Sequence, residues 1–323
     1  ILPNGADAIV KVEDTKTYTE NGRHLVKIFY PVARDENVRK AGEDIRKGKL
    51  VLKKGKILRP QEIALLAALG KNKIKVIRQA KVAILTTGDE LVEINKKPSL
   101  GKIRDSNSYM LYAEVVNCNA LPLSFGIIPD NKAVLKRKLN QATEQADVII
   151  TSAGVSVGEY DLVERCFLEM GFKPKFHTLA IRPGKPLLFG LLKNKPLFGL
   201  PGNPASAMVT FELFVRPTIQ KMQGFILKKV HPEGRDGFLP RVEAILKERL
   251  VKKAGFRHYF RGKLEKVNNR WVVSTAGAQG SSIISSMVNA NCLIVLPEKV
   301  TIANKGTKVE VLLLNDTDYF SSR

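Results

Sequence analysis

Cysteine is scarce in this sequence. Its 323 residues include three cysteines, and no two of them form a CxxC pair. An odd number of widely spaced cysteines supports neither a disulfide framework nor a zinc ribbon. We therefore expect a protein of the reducing cytoplasm.

Long hydrophobic runs are also lacking. No apolar stretch reaches about 18 residues, the length that a membrane-spanning helix requires, and no charged segment followed by a hydrophobic one opens the chain. The sequence predicts neither a membrane span nor a secretory signal. Because it begins at Ile1 rather than methionine, we expect further residues to precede it.

Acidic residues are few relative to basic ones. The chain has 31 Asp and Glu against 53 Lys and Arg, a net charge of +22 at pH 7, and such an excess concentrates anions near the surface. Nucleic-acid binding usually needs basic residues on one face with aromatics between them. Here the lysines are spread along the chain and aromatic residues make up only 7%. We expect no nucleic-acid partner, because the net charge is the only feature of the sequence that supports one.

The remaining composition is that of a folded protein with more than one domain. Hydrophobic residues make up 44% and charged residues 26%, close to the averages of globular proteins, and the length corresponds to about two domains or more. The predicted domains are a partial β-rich domain at 1–38 whose N-terminal portion is missing, a small β or linker domain at 39–75, an α/β domain at 76–224 and a C-terminal β domain at 225–323.

The N-terminal region is predicted to be β-rich. Strand-like runs at 8–12 and 25–29 flank an Asn-Gly pair at 21–22, which is a hairpin signal. A lysine- and glycine-rich segment at 42–58 predicts a pair of strands. Residues 60–70 predict a helix, with proline near its start and glycine after its end.

Short buried strands alternate with amphipathic helices between 76 and 224. This βαβ rhythm predicts a mainly parallel sheet with helices on both faces. After 225 the strand-like runs predict an all-β domain. The predicted elements are strands at 82–86, 122–125 and 147–151, helices at 107–118, 131–144, 161–170 and 203–222, and C-terminal strands at 271–273, 293–296 and 309–313.

Three strand exits of the predicted sheet carry unusual loops. Glycine and small hydroxyl residues let a ligand approach the backbone, and free N–H groups at helix starts attract anions, so these loops favour an oxyanion ligand. No GxxxxGK[ST] or GxGxxG pattern occurs in the chain. The alternative role of Asp161, Asn203 and Ser106 is helix capping. The loops are TTGDEL at 86–91, a glycine-rich stretch at 151–161 and LPGNPASA at 200–207.

Charged residues in this region indicate a cation site and an anion site. Asp89, Glu90 and Asp161 belong to two of the loops, and carboxylates converging at one sheet edge suit a hard divalent cation such as Mg²⁺. Arg182 and Lys185 flank a proline-stiffened turn that favours a tetrahedral anion, the alternative being an exposed basic turn. The four histidines show no metal-ligand spacing and are expected to be structural or surface residues.

Five motifs together resemble one protein family. They occur in the order TTGDEL at 86–91, GKIRDSNS at 101–108, SAGVSVGEYD at 152–161, RPGKP at 182–186 and LPGNPASA at 200–207. In order and spacing they resemble the MoeA-type molybdopterin molybdenumtransferases, a family that includes the E domain of gephyrin. The resemblance extends to both ends of the chain through LPNGADAIV at 2–10, NVRKAGEDI at 37–45, YFRG at 259–262 and QGSSIISSMVNANCLIVLPE at 279–298.

The resemblance implies both a fold and a reaction. It implies N-terminal β-rich modules, a molybdopterin-binding α/β domain, a C-terminal β-barrel-like domain and an L-shaped homodimer. The reaction is insertion of molybdenum from molybdate into molybdopterin, commonly an adenylylated form whose AMP is released with Mg²⁺ present. A MogA-like adenylyltransferase is then a candidate partner. A non-catalytic scaffold of the same fold, which presents molybdopterin or binds a peptide, is the alternative.

The resemblance also assigns roles to individual residues. It maps magnesium binding to Asp161 and Glu90, and catalytic assistance to these two residues and Asp89. Molybdate binding falls to Arg182, Lys185, Ser206, Arg261 and one of Ser281 and Ser282. The expected substrate-binding residues are Thr87, Gly88, Ser106, Asn107, Ser152, Gly154, Ser156, Gly158, Pro201, Gly202 and Asn203.

Three features depart from the family's pattern. A DGYAV-like segment, which supplies part of the dimeric active site in the family, would precede Ile1 and is absent here. The family's GRxxFxR pattern appears at 255–261 with Phe256 in place of its first arginine, unless Arg257 substitutes. Arg182 stands where the family often has lysine, which keeps the charge and adds a planar fork of donors.

Overall fold

The computed structural model describes residues 1–153, 162–225 and 239–314. The chain divides between Lys73 and Ile74 into two units. The finer domain boundaries proposed from the sequence stay predictions. The residues assigned to the site from the sequence that lie outside the described ranges are Gly154, Ser156, Gly158 and Asp161.

The first unit contains a β-hairpin. Strand β1 (Thr15–Glu20) pairs antiparallel with β2 (Arg23–Ile28), and Asn21 and Gly22 between them have φ angles of 51° and 76°. Two positive φ angles are what a two-residue hairpin turn requires, so the predicted Asn-Gly turn is confirmed. The strand predicted at 8–12 is wrong, because the turn places β1 opposite β2 and leaves 8–12 beyond the end of the hairpin.

The same unit contains a short 3-10 helix (Val12–Asp14) and one α-helix, α1 (Pro60–Ala68), the latter as predicted. Proline occupies its first turn, and the Arg59 N–H donates to Glu62 Oε2 over 3.0 Å. The strand pair predicted at 42–58 is wrong, since these residues form turns and irregular backbone. Glycines with positive φ at three positions interrupt the segment, and its lysines have little strand preference. The three glycines are Gly42, Gly48 and Gly55.

The second unit begins with an α/β region. Its six-stranded sheet has the order β6-β3-β7-β11-β10-β8. The first four strands are parallel, β10 is antiparallel to its neighbours β11 and β8, and β8 therefore runs in the same direction as the first four, so the prediction of a mainly parallel sheet is confirmed. The elements are β3 (Lys81–Thr87), β4 (Leu91–Val92), β5 (Ile103–Arg104), α2 (Asn107–Asn117), β6 (Leu121–Ile128), α3 (Lys132–Gln145), β7 (Val148–Ser152), α4 (Leu162–Glu169), β8 (Lys173–Thr178), β9 (Ile181–Arg182), β10 (Pro186–Leu192), β11 (Lys195–Leu200), α5 (Pro204–Thr210), a π-helix (Phe211–Val215) and α6 (Arg216–Met222).

Helices cover both faces of this sheet, as the sequence predicts. Along a strand, successive side chains point to opposite faces. Ile84 and Ile150 accordingly pack with Leu111 of α2 and Phe211 of the π-helix, whereas the neighbouring Leu85 packs against α3 and α4. Both faces of the central strands are therefore buried.

The predicted helix at 203–222 is one helical segment interrupted by a π-helix. Glu212 of the π-helix accepts two hydrogen bonds of 2.6 Å from Arg216, the first residue of α6. Arg216 also donates to Glu114 of α2 over 2.9 Å. All three side chains are nearly excluded from solvent, so this buried hydrogen-bonded cluster joins α2 to the long helical segment. Among the described helices, none is long and apolar enough to cross a membrane.

The C-terminal region forms a closed five-stranded barrel. Its strand order is β15-β12-β18-β16-β14, and a further pairing of β14 with β15 closes the ring. The barrel-like domain predicted from the sequence is confirmed. The elements are β12 (Arg241–Leu246), β13 (Leu250–Val251), β14 (Arg257–Val267), β15 (Arg270–Thr275), α7 (Ser285–Val288), β16 (Cys292–Leu296), β17 (Ile302–Ala303) and β18 (Lys308–Leu313).

A short strand of the α/β region extends the barrel sheet. Strand β9 pairs in parallel with the start of β14, with Arg182 opposite His258. The Arg257 N–H donates to Ala180 O over 2.8 Å at the same junction. The RPGKP turn that follows β9 is thereby attached to both the parallel sheet and the barrel.

Candidate functional site

A cavity of about 1030 Å³ lies where the parallel sheet meets the barrel. Its sheet side is formed by the ends of β3, β7 and β11 and the start of α2. Its other walls are the RPGKP turn, the start of β14 and a barrel segment at 279–284. Carboxyl ends of parallel strands are where α/β proteins bind ligands. This cavity is therefore the candidate site.

Asn107 connects two of the strand-exit loops on the sheet side of the cavity. Its Nδ2 donates to Ser152 Oγ and to Gly202 O, each over 2.8 Å. Its Oδ1 and the Thr86 Oγ1 are buried and have no hydrogen-bond partner within the described ranges. Both residues line the cavity. Two orphaned buried acceptors at a cavity wall suit a ligand that brings N–H or O–H donors.

Asp105 lies two positions before α2 and was missed by the sequence analysis. It is only 3% exposed, lines the cavity, and its Oδ1 accepts from the Ser108 N–H over 3.0 Å. The predicted capping role of Ser106 is wrong, because its side chain makes no cap hydrogen bond. The Asp-x-x-Ser spacing in the motif at 101–108 is the signal that could have identified Asp105 as the cap.

Asn203 connects the third loop to the barrel rather than capping α5. Its side chain makes no cap bond, so the capping alternative is wrong. Instead its Nδ2 donates to Ser281 Oγ over 3.2 Å. The Ala205 N–H also donates to Ser281 O over 3.0 Å. These bonds bring Ser206 and Ser281 to the same cavity although 74 positions of sequence separate them.

The first loop directs Glu90, and not Asp89, toward the cavity. Gly88 has a φ of 135°, and the Glu90 carboxylate occupies the space where a Cβ on Gly88 would lie. Glu90 lines the cavity, whereas Asp89 is exposed and is not among the described lining residues. Asp89 Oδ1 accepts from the Asp130 N–H over 3.1 Å. Only glycine at 88 permits this arrangement of the loop.

All six residues assigned to molybdate line the cavity. Of the substrate-binding residues, six also line it, while Thr87 and Gly88 are not among the described lining residues. The molybdate set is Arg182, Lys185, Ser206, Arg261, Ser281 and Ser282, and the substrate-binding residues on the cavity are Ser106, Asn107, Ser152, Pro201, Gly202 and Asn203.

Three cations at the cavity lack a carboxylate partner among the described residues. Arg182 and Lys185 form no ion pair within the described ranges, and Arg182 lies over the Phe256 ring at 4.8 Å from its centroid. Arg261 is 1% exposed, and burial lowers its pKa. Its Nε donates to Ser286 Oγ over 3.0 Å and its Nη2 to Gly280 O over 2.9 Å. An uncompensated buried cation favours an anionic ligand.

His258 also lines the cavity, opposite Arg182 in the strand register. Burial, Lys252 and Arg182 lower the pKa of His258 to about 4. The imidazole is therefore neutral at physiological pH and does not alter the positive charge of the site. The sequence carried no signal for this residue, because a single histidine in a strand has no diagnostic spacing.

Carboxylates on the cavity wall fit a hard divalent cation. Glu90 and Asp105 both line the cavity, and Mg²⁺ is usually held by one or two carboxylates together with water or substrate oxygens. The described part of the chain contains no group of three or more His, Cys, Asp or Glu that could hold a metal. Asp161, the principal predicted ligand, lies outside it. The described donors thus suit Mg²⁺ as a partial ligand set.

Comparison with known proteins places this architecture in a family. The "MoeA N-terminal region (domain I and II)" matches residues 1–70, the "Probable molybdopterin binding domain" matches 83–221 and the "MoeA C-terminal region (domain IV)" matches 243–314. A molybdopterin molybdenumtransferase of Haemophilus influenzae is 38% identical over 315 residues, covering 96% of this chain and 74% of the relative. The chain belongs to the MoeA-type molybdopterin molybdenumtransferase family.

Other members of this family are similar along nearly the whole chain. A molybdopterin molybdenumtransferase of Bacillus subtilis is 33% identical, covering 98% of this chain and 71% of the relative. The crystal structure of a molybdopterin biosynthesis MoeA protein from Pyrococcus horikosii has a TM-score of 0.75 at 33% identity, with 98% of this chain and 74% of that chain covered. The family assignment made from the motifs is confirmed.

Proposed function

We propose that this protein transfers molybdenum from molybdate to molybdopterin, a late step of molybdenum cofactor biosynthesis. The names of its relatives and the molybdopterin-binding domain support this activity. The observation that carries it is the cavity where Arg182, Lys185 and Arg261 converge without carboxylate partners among the described residues. Such a site attracts a small dianion to the carboxyl edge of the sheet.

Molybdate is the anion that this site would hold. It is a tetrahedral dianion, and charge-assisted hydrogen bonds from two guanidinium groups and one ammonium group suit its oxygens. Serine hydroxyls of Ser206 and of Ser281 or Ser282 add donors that rotate to fit. The pterin dithiolene sulfurs then replace molybdate oxygen, and each displaced oxide leaves as water after taking up two protons.

The pterin would lie against the strand-exit loops on the sheet side. The buried Oδ1 of Asn107 and Oγ1 of Thr86 can accept hydrogen bonds from its N–H groups. The first-turn N–H groups of α2, which begins at Asn107, favour an anionic group such as its phosphate. The loops place this substrate beside the oxyanion site, so that the reacting sulfurs and the metal can meet.

Mg²⁺ and an adenylylated substrate belong to the same proposal. Glu90 and Asp161 would hold the ion, with Asp89 in the same loop as Glu90. When bound, Mg²⁺ would neutralise phosphate charge as AMP is released. A homodimer, a MogA-like adenylyltransferase as supplier of the substrate and a cytoplasmic location are further proposals that the family resemblance supports.

A turnover assay tests this function. Purified protein is incubated with adenylylated molybdopterin and molybdate, with and without Mg²⁺, and both AMP and molybdenum-loaded cofactor are measured. We expect both products, and faster release of AMP with Mg²⁺. A scaffold would bind molybdopterin without producing either. Asp161→Asn should abolish insertion and leave molybdopterin binding near normal, whereas unchanged insertion kinetics would remove Asp161 from the mechanism.

A further inference from the structure

The Arg182 guanidinium lies over the ring of Phe256, with 4.8 Å between its central carbon and the ring centroid. The contact is fixed by the backbone, because β9 pairs with the start of β14 and brings Arg182 opposite His258. Phe256 directly precedes β14, two positions before His258, so this pairing brings it close to Arg182.

A histidine and a lysine lie near Arg182. The pKa of His258 lies at about 4, so this imidazole is neutral at physiological pH. Lys252 is close enough to help lower that pKa, and its ammonium group donates to Phe256 O over 2.8 Å. No carboxylate of the described residues pairs with Arg182. Within the described part of the site, the aromatic ring is the group that holds the guanidinium.

We propose that Phe256 is a positioning residue for oxyanion binding, which holds the Arg182 guanidinium at the cavity wall with its N–H groups left free for molybdate. This inference rests on the proposed function. It also connects two of the chain's departures from the family pattern, since Phe256 and Arg182 are the two altered positions and they contact each other.

An aromatic ring suits this task better than a carboxylate would. A long arginine side chain loses conformational entropy when it binds a ligand, and holding it in advance reduces that cost. A carboxylate would hold it equally well but would neutralise its charge and compete with a dianion for its donors. A ring face attracts the cation and leaves the N–H edges unoccupied.

Isothermal titration of the protein with sodium molybdate, without pterin, tests the proposal. Phe256→Leu keeps the apolar volume and removes the ring, and we expect about 3- to 10-fold weaker molybdate binding. Phe256→Tyr keeps the ring and should restore near wild-type affinity. With adenylylated molybdopterin present, the KM for molybdate should rise in Phe256→Leu while kcat changes little. Circular dichroism and thermal unfolding verify that each variant folds.

Two comparisons make the test specific. In an Arg182→Ala background, Phe256→Leu should cause no further loss of affinity, because the ring acts only through the guanidinium. Lys266→Met is the matched control: it removes a cation that lies 5.9 Å from the Trp271 ring centroid, with Lys266 on the same strand as Arg257, and it should leave molybdate affinity unchanged.

Each outcome has a distinct meaning. Wild-type affinity in Phe256→Leu, or an equal loss with and without Arg182, would overturn the role of Phe256 and leave the proposed function intact. If the wild-type protein is folded but binds no molybdate, the proposed function is wrong, and the role of Phe256 is overturned with it. Weaker binding in Phe256→Leu that Phe256→Tyr rescues supports the positioning role.

Discussion

Asn107 Nδ2 donates a hydrogen bond to Ser152 Oγ across 2.8 Å and so joins the start of α2 to the end of β7. A second bond of 2.8 Å from the same amide reaches Gly202 O in the loop after β11. One buried side chain therefore joins the end of β7 to the loop after β11 on the sheet side of the cavity. The relative positions of Ser152 and Gly202 at the cavity wall therefore depend on the Asn107 amide.

Asn107→Ala should lower both stability and pterin affinity. The substitution removes two hydrogen bonds and leaves the buried Ser152 hydroxyl without this partner, which costs about 1–3 kcal/mol of unfolding free energy. Urea denaturation measures the first effect and molybdopterin titration the second. Asn95→Ala, on an exposed turn, is the control and should change neither quantity. Wild-type pterin affinity in a destabilised Asn107→Ala would limit the residue to a structural role.

Lys185→Ala should weaken molybdate binding by about tenfold or more, since it removes a charge-assisted donor. The loss should shrink at high ionic strength, because salt screens the attraction in the wild type as well. Direct titration with molybdate at two salt concentrations measures both effects. Lys96→Ala removes an exposed lysine elsewhere on the surface and should not alter the affinity. Equal affinities of Lys185→Ala and wild type would exclude Lys185 from the anion site.

Gly184→Ala should disturb the turn that carries Arg182 and Lys185. Gly184 has a φ of 102°, and a Cβ there would lie 2.5 Å from Thr210 Cγ2. The turn must shift, so molybdate affinity should fall and stability should drop by about 1–2 kcal/mol. Thr210→Ser removes the clashing methyl group and should rescue part of the loss. The account of this turn fails if Gly184→Ala binds molybdate normally.

Glu114→Gln should flatten the pH dependence of stability. Burial and the neighbouring Glu212 raise the pKa of Glu114, while the carboxyl in the unfolded chain keeps a pKa of about 4.3. The folded state thus binds this proton more tightly, and the stabilisation is complete below the unfolded pKa and is lost as pH rises toward and beyond neutral. Glutamine cannot ionise and can still accept the hydrogen bond from Arg216.

Urea denaturation between about pH 5 and about pH 8 tests this expectation. The wild-type unfolding free energy should decline more steeply over this interval than that of Glu114→Gln. Glu243→Gln changes an exposed carboxylate and should retain the wild-type slope. Identical slopes for Glu114→Gln and wild type would show that Glu114 is ionised throughout the interval.

Much of the fold could be predicted from local patterns. The apolar runs at 82–86 and 147–151 form central strands of the sheet, and both faces of these strands are buried. Short continuous apolar runs are typical of strands in a sheet that is covered on both faces. The Asn-Gly pair at 21–22 likewise predicted the hairpin turn. The strands predicted at 8–12 and 42–58 failed because pairing depends on what lies opposite, which a short run of residues does not encode.

The candidate site was predictable only in part. Helix-start loops rich in glycine indicate an anion site from sequence alone, but nothing local predicts that Arg261 and Ser281 of the barrel meet Arg182 of the α/β region. The motif resemblance placed them together, and all three line the same cavity. Asp105 and His258 were missed because their importance arises from burial and from the pairing of β9 with β14.

Crystals soaked in molybdate and measured at the molybdenum absorption edge test the central claim most directly. The account predicts one strong anomalous peak within hydrogen-bond distance of Arg182, Lys185 and Arg261, and in Lys185→Ala crystals soaked at a concentration near the wild-type Kd this peak should be much weaker. A peak away from these side chains, or none at a concentration that saturates binding in solution, would contradict it.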